Sequence, residues 1–258
     1  MRAETVNVDG RAVYVWRGGA GRPLLLLQGG MADAELHWSS VWHLLAETFE
    51  VVAPDWPGFG GSEAIAAPTW PSMLGWLNAF VEQQAGGRAD IVGNSFGGTV
   101  SRLFAAAYPQ RVGRLVILNG GGLVGEPTAS ALRGLPDDPA VMAQLGQASF
   151  SRDVLSRMVA DDRLLTEDFL AACQANPIIL TILRDSLKGP QPASLTPAAP
   201  TLVLWGEADR HTPPESGRAV ADAIPGARFA TISRAGHLPQ LENPVAVVTA
   251  LVDFLKET

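Results

Sequence analysis

Cysteine is almost absent: Cys173 is the single one in 258 residues. An internal disulfide is therefore excluded, and a reducing compartment such as the cytoplasm fits this usage. No cluster of lysine and arginine occurs, and 26 acidic side chains outnumber 19 basic ones, for a net charge of −7. Nucleic acid and anionic membrane surfaces are poor partners for such a chain. The opening "MRAETVNVDG" lacks the apolar stretch of a secretory signal. The longest apolar runs, such as "PLLLLQGG", are far too short to span a bilayer. Glycine-rich segments are present, but neither "GGAG" nor "GNSFGG" completes the dinucleotide-binding pattern, so no nucleotide cofactor is expected. No metal is expected either. His37 and His43, six apart on one expected helix, would point about 240° away from each other. Both read as surface or half-buried histidines.

What is present is apolar material, 47% of the chain, enough for a sizeable core. Two alternating runs, "TVNVDG" and "AVYVWRG", read as an antiparallel pair at a sheet edge. Continuous apolar runs then alternate with helical patterns. Strands are expected in "PLLLL", "EVVAPD", "ADIVGN", "RLVILNG", "TLVLWGEAD" and "ARFATIS". Helices are expected in "ELHWSSVWHLLAETF", "SMLGWLNAFVEQQ", Thr99 to Tyr108, "ESGRAVADAI" and "PVAVVTALVDFLKE". This rhythm argues for a parallel sheet with helices on both faces. It breaks after "LNGGGLVGEP". There only helical patterns follow, clearest at Asp153 to Ala160, Glu167 to Ala175 and Ile178 to Lys188, before the proline-rich return "GPQPASLTPAAP". The chain therefore divides into a core over residues 1–122, a helical insertion over 123–198 and the rest of the core over 199–258.

Within "DIVGNSFGGTVSRLFAAAYP", Ser95 stands between Gly93 and Gly97 where a buried strand turns into a helix. A turn that tight has no room for flanking side chains and thrusts its central residue into the open. On this segment alone, two roles stand open for Ser95: helix cap or nucleophile. A serine hydroxyl needs a base, and the base needs an orienting acid. Asp209 lies in the loop after "TLVLWG", and His237 in "AGHLPQLENP" after the following strand. Parallel strands end along one edge, so these loops can converge. Glu207 shares the loop of Asp209 and is the alternative acid.

Five segments, "LLLLQGG", "APDWPGFGGS", "VGNSFGG", "WGEADR" and "AGHLPQLENP", resemble the α/β-hydrolase fold family in order and spacing over essentially the whole chain. The resemblance implies a mostly parallel eight-stranded sheet with helices on both faces and a helical lid. It implies a hydrolase without cofactor, with Ser95 as nucleophile, His237 as general base and acid, and Asp209 as its orienter. The oxyanion would be held by the backbone N–H groups of Gly30 and Phe96. Gln28 replaces the histidine most relatives carry there, and its amide can still brace the loop by hydrogen bonding.

The resemblance places His211 outside the catalytic set and gives Asp55 a turn-stabilising role. Cys173 reads as a small buried apolar group, and Trp38, Trp42, Trp70 and Trp76 as core. The insertion must bury apolar faces on the core or over a pocket, so the expected partner is a small hydrophobic substrate. Ester hydrolysis through an acyl-enzyme is the leading expectation. The elbow "GNSFGG" also resembles that of hydrolases that cut carbon–carbon bonds in ring-fission diketo acids, although Leu238 stands where that group carries tryptophan. Relatives that make peracids, and a non-catalytic small-molecule receptor of the same fold, complete the alternatives.

Overall fold

The computed structural model describes residues 1–122, 125–175, 177–192 and 196–257. Eight strands form one sheet: β1 (Arg2–Val8), β2 (Arg11–Gly18), β3 (Pro23–Leu27), β4 (Glu50–Pro54), β5 (Ala89–Asn94), β6 (Val112–Leu118), β7 (Thr201–Gly206) and β8 (Arg228–Ile232). Their order is β1-β2-β4-β3-β5-β6-β7-β8. The β1–β2 and β2–β4 pairs are antiparallel, and the others are parallel. The run "PLLLL" shows how sequence divides between the two faces. Leu25 and Leu27 enter one apolar cluster, and Leu24 and Leu26 the other, as a period of two requires.

Helices α1 (Ala34–Trp38), α2 (Trp42–Leu45), α3 (Trp70–Gln84) and α4 (Phe96–Ala107) follow the early strands. Between β6 and β7 lie α5 (Glu126–Arg133), α6 (Pro139–Ala148), α7 (Arg152–Met158), α8 (Glu167–Gln174) and α9 (Ile179–Ser186). The remaining helices are α10 (Pro214–Asp222), α11 (Pro239–Glu242) and α12 (Pro244–Leu255). Trp38 and Trp42 pack with α12 on one face, and Trp70 and Trp76 with α3 and α4 on the other.

Two expectations are corrected. The single helix expected across "ELHWSSVWHLLAETF" is two short ones, α1 and α2, interrupted at Ser39 and Ser40. Serine competes with helical bonding through its own hydroxyl, and Ser40 Oγ donates to the Gln240 carbonyl at 2.7 Å. His37 and His43 thus sit on separate helices. His43 is exposed, but His37 is completely buried, not at the surface or half-buried. The segment before β7, expected to be helical, holds two helices, α5 and α6, besides the three clearest patterns. Each has proline in its first turn, where the missing N–H costs nothing. The expected insertion boundary at residue 123 lies outside the described residues.

The register of the central strands positions the site. Asn94 at the end of β5 pairs with Leu118 of β6, which pairs with Leu204 of β7. Ser95, Asn119 and the loop carrying Asp209 therefore leave the sheet side by side at its carboxyl edge.

Candidate active site

Ser95 is the hinge between β5 and α4, with φ 51° and ψ −114°. That is a costly conformation for a residue with a side chain. Its neighbours show what holds it there. A methyl group on Gly93 would lie 2.4 Å from the Gly97 carbonyl oxygen, and one on Gly97 would lie 2.3 Å from the Leu27 carbonyl oxygen. Only glycine fits at both places, and the turn directs the Ser95 hydroxyl into a cavity.

His237, on the loop between β8 and α11, brings Nε2 to 2.8 Å from Ser95 Oγ and Nδ1 to 2.7 Å from Asp209 Oδ2. An ionised carboxylate only accepts, so Nδ1 carries the proton and Nε2 accepts from the serine. Asp209 and His237 are both buried. Burial alone would raise the Asp209 carboxyl, but the hydrogen bond and charge of His237, with the Thr212 N–H and the Asn119 amide, hold it below the usual carboxylate range. Oδ1 accepts the backbone N–H groups of His211 and Thr212, each at 2.9 Å. Oδ2 accepts Asn119 Nδ2 at 2.7 Å and the Thr212 hydroxyl at 2.8 Å. Glu207 takes no part; it is exposed and bonded to Thr231.

Two asparagines tie these loops together. Asn119 also donates to the Gly236 carbonyl and accepts the Gly206 N–H. Asn94 donates to the carbonyls of Leu118 and His237. Asn94 lies within the segment "VGNSFGG" without an expected role, and Asn119 belongs to none of the five segments; the sequence signal in each case is a polar residue at the end of a buried strand. Thr212 is a further residue that sequence reasoning missed, since its Oγ lies 3.0 Å from His237 Nδ1.

The cavity above Ser95 encloses about 660 Å³. Gly30, Met31 and Phe96 line it beside the serine, so the two residues expected to offer oxyanion N–H groups both border it. Helices α7 and α9 supply an apolar wall that includes Val154, Met158, Ile179 and Leu183. Trp70 is buried as expected, yet it also reaches this wall, stacked on Phe96 at 6.5 Å. No lysine, arginine, aspartate or glutamate is among the described residues that line the cavity. His211, which the resemblance set aside, lines it too, its ring edge-on to His237 at 5.2 Å. Burial and the neighbouring His237 charge lower its pKa.

Around the site, Gln28 is buried and reaches Ala32 O at 3.4 Å, while its own carbonyl accepts the Trp56 indole N–H at 2.9 Å. Asp55 accepts the N–H groups of Ala34 and Gly61, joining a turn to the start of α1; burial, partly offset by these bonds, pushes its carboxyl up to about 6. His37 lies behind the loop after β3, bonded through Nδ1 to the Asp33 carbonyl, and burial lowers its pKa to about 4. Cys173 is buried with Sγ 3.5 Å from Met31 Sδ, and burial pushes its thiol up to about 12. Among the described residues, no His, Cys, Asp or Glu group is arranged to hold a metal.

A family model described as "Alpha/beta hydrolase family" matches residues 24–250. The chain belongs to this family. The α/β-hydrolase fold accounts for the sheet order, the serine between β5 and α4, and the acid and histidine after β7 and β8. Among similar proteins, the 2-hydroxy-6-oxononadienedioate/2-hydroxy-6-oxononatrienedioate hydrolase of Cupriavidus pinatubonensis is 31% identical, over 92% of this chain and 88% of its own. The 2-hydroxymuconate semialdehyde hydrolase of a Pseudomonas species is also 31% identical, over 93% of this chain and 88% of its own. Among solved structures, a thermophilic esterase from Thermogutta terrifontis superimposes with a TM-score of 0.82 at 24% identity, covering 99% of this chain and 98% of that one. At that identity the likeness speaks to fold alone.

Proposed function

We propose that this α/β-hydrolase is a serine hydrolase that attacks the carbonyl carbon of an uncharged, hydrophobic substrate. The observation that carries the reading is the relay of 2.8 and 2.7 Å from Ser95 through His237 to Asp209, opening onto an apolar cavity. Ser95 Oγ adds to the carbonyl as His237 Nε2 takes its proton. Asp209 keeps the imidazole in the required tautomer and stabilises its charge. The N–H groups of Phe96 and Gly30 receive the developing oxyanion without reorganisation. His237 then passes its proton to the leaving group, and water hydrolyses the acyl-enzyme. Helices α5–α9 act as a lid that keeps bulk water from the cavity, which strengthens each of these interactions.

Two substrate classes meet this chemistry. Simple esters suit a cavity whose described lining bears no carboxylate or cationic side chain, because a carboxylate-bearing substrate would be desolvated there without a cation. Carbon–carbon bond hydrolysis is the second reading, and the relatives favour it: those most similar in sequence are named for oxo-dienoate and semialdehyde substrates. An assay on p-nitrophenyl esters of increasing chain length, run beside 2-hydroxy-6-oxo-dienoates, separates the two. We expect kcat/KM for the butyrate ester to exceed that for a dienoate by about 100-fold, the cost of burying one unpaired carboxylate being a few kcal/mol. The reverse ranking assigns carbon–carbon hydrolysis; turnover of neither substrate, or turnover that persists in Ser95→Ala, rejects the catalytic reading.

A further inference from the structure

We infer that Glu242 is a positioning residue for His237, acting by locking the histidine loop to the end of α7. The inference rests on the reading of His237 as the proton carrier. Glu242 closes α11, half-buried, and touches none of the reacting atoms. Its Oε2 accepts the Gly236 N–H at 2.7 Å, and its Oε1 accepts the N–H of Ala160. Gly236 precedes His237, and Ala160 lies just beyond α7. One side chain thus bridges the two segments through two backbone donors, one from each.

The bridge spans a place where the segments already touch. The His237 N–H donates to the Met158 carbonyl, and a methyl group on Gly236 would lie 2.1 Å from that same oxygen. Met158 and Val154 line the cavity, so the peptide that meets substrate is bonded directly to the backbone of the catalytic histidine. Arg210 ties the same piece to the acid loop, its backbone N–H donating to Arg157 O at 3.0 Å and its guanidinium to Ser156 O. The pieces carrying acid and base are therefore both referenced to residues 156–160.

The chemistry of the bridge calls for a carboxylate. Two donors from different segments, one on each oxygen, need a group that accepts at both positions. An amide would turn its NH₂ against at least one backbone N–H and push the segments apart. Displacements of tenths of an ångström to one ångström in a relay cost up to about 100-fold in rate. A residue that merely capped α11 would affect folding and leave the relay alone.

The test uses the full-length protein, a p-nitrophenyl ester and a fluorophosphonate probe. In Glu242→Gln we expect kcat to fall about 10- to 100-fold with KM changed less than threefold, and Ser95 to label fully but more slowly in a chain that is folded by circular dichroism. Arg210→Ala should lower kcat as well, and the double variant should lose less than the product of the two, since both release one segment. Wild-type kcat and labelling rate in Glu242→Gln, even with a lowered Tm, would overturn the inference. So would full additivity with Arg210→Ala. If the variants do not fold, hydrogen exchange on the wild type decides. The amides of Ala160, Gly236 and His237 should exchange as one unit, and exchange of Ala160 orders of magnitude faster than the other two would refute the bridge. A wild type whose Ser95 does not label at all counts against the serine-hydrolase reading, and is thereby distinguished from failure of this one.

Discussion

Asp209 shows at the scale of one residue how the fold prepares a charge before substrate arrives. Two oxygens receive bonds from His237, Asn119, the Thr212 hydroxyl and two backbone N–H groups. An isosteric amide cannot accept all of these, and its own NH₂ would face His237 and select the wrong tautomer. Asp209→Asn should therefore lower kcat/KM by about 10³–10⁴, measured on whichever substrate the wild type turns over. The depressed carboxyl also bears on folding. Its stabilising contribution is present above the ordinary value of 3.8 and is lost as pH falls through the folded-state value. Urea melts should show the wild type losing more stability than Asp209→Asn as pH is lowered below about 4. For His37, burial outweighs the opposing hydrogen bond and charge of Asp33. Its folded pKa of about 4 lies below the ordinary imidazole value of 6.5, so the folded state refuses a proton that the unfolded chain accepts. The stability His37 supports is thus present above pH 6.5 and drains as pH falls towards 4. Imidazole chemical shifts followed by NMR should show one ring titrating near pH 4; a ring that titrates near 6.5 would show that this site is wetter than the packing around it implies.

At the scale of elements, α9 presses on the loop after β3. A methyl group on Gly30 would lie 2.5 Å from Ile179 Cγ1 and 2.7 Å from its Cδ1. Gly30→Ala should thus displace the loop and lower activity about tenfold or more. Truncating the opposing side chain in Gly30→Ala/Ile179→Ala should recover part of that loss. Steady-state kinetics on the four members of the cycle checks this, and a double variant no better than Gly30→Ala would mean the contact is incidental. The elements that carry the site were also the most legible in the sequence. Strands β3, β5, β6 and β7 are continuous apolar runs with no helical period, and glycines at 93 and 97 mark a turn too tight for anything else. Helices α5 and α6, which open with Pro127 and Pro139 in the first turn, were less clear in the sequence than α7 to α9. The break at Ser39 and Ser40 was hidden, because a hydroxyl bonded to Gln240, 200 positions away, leaves no local trace. Asn119, Thr212 and Glu242 each also reach a partner that only the assembled structure brings near: Asp209, His237 and Ala160. Their spacing in the chain says nothing of it.

For the whole molecule, the charge is carried away from the cavity. The chain is net acidic by 7, yet the cavity's described lining has neither carboxylate nor cation. Among the described residues no helix is long and apolar enough to cross a membrane. The family is set by residues 24–250 as a unit, and α7 and α9 lay apolar side chains over Ser95. The central claim, that this serine is the nucleophile of a relay with His237 and Asp209, is tested most directly by intact-mass spectrometry and peptide mapping after treatment with a fluorophosphonate. The account predicts one adduct per chain, on Ser95, absent from Ser95→Ala and formed at least about 10²-fold more slowly in His237→Ala. A folded wild type that stays unlabelled, or an adduct that persists in Ser95→Ala, would contradict it.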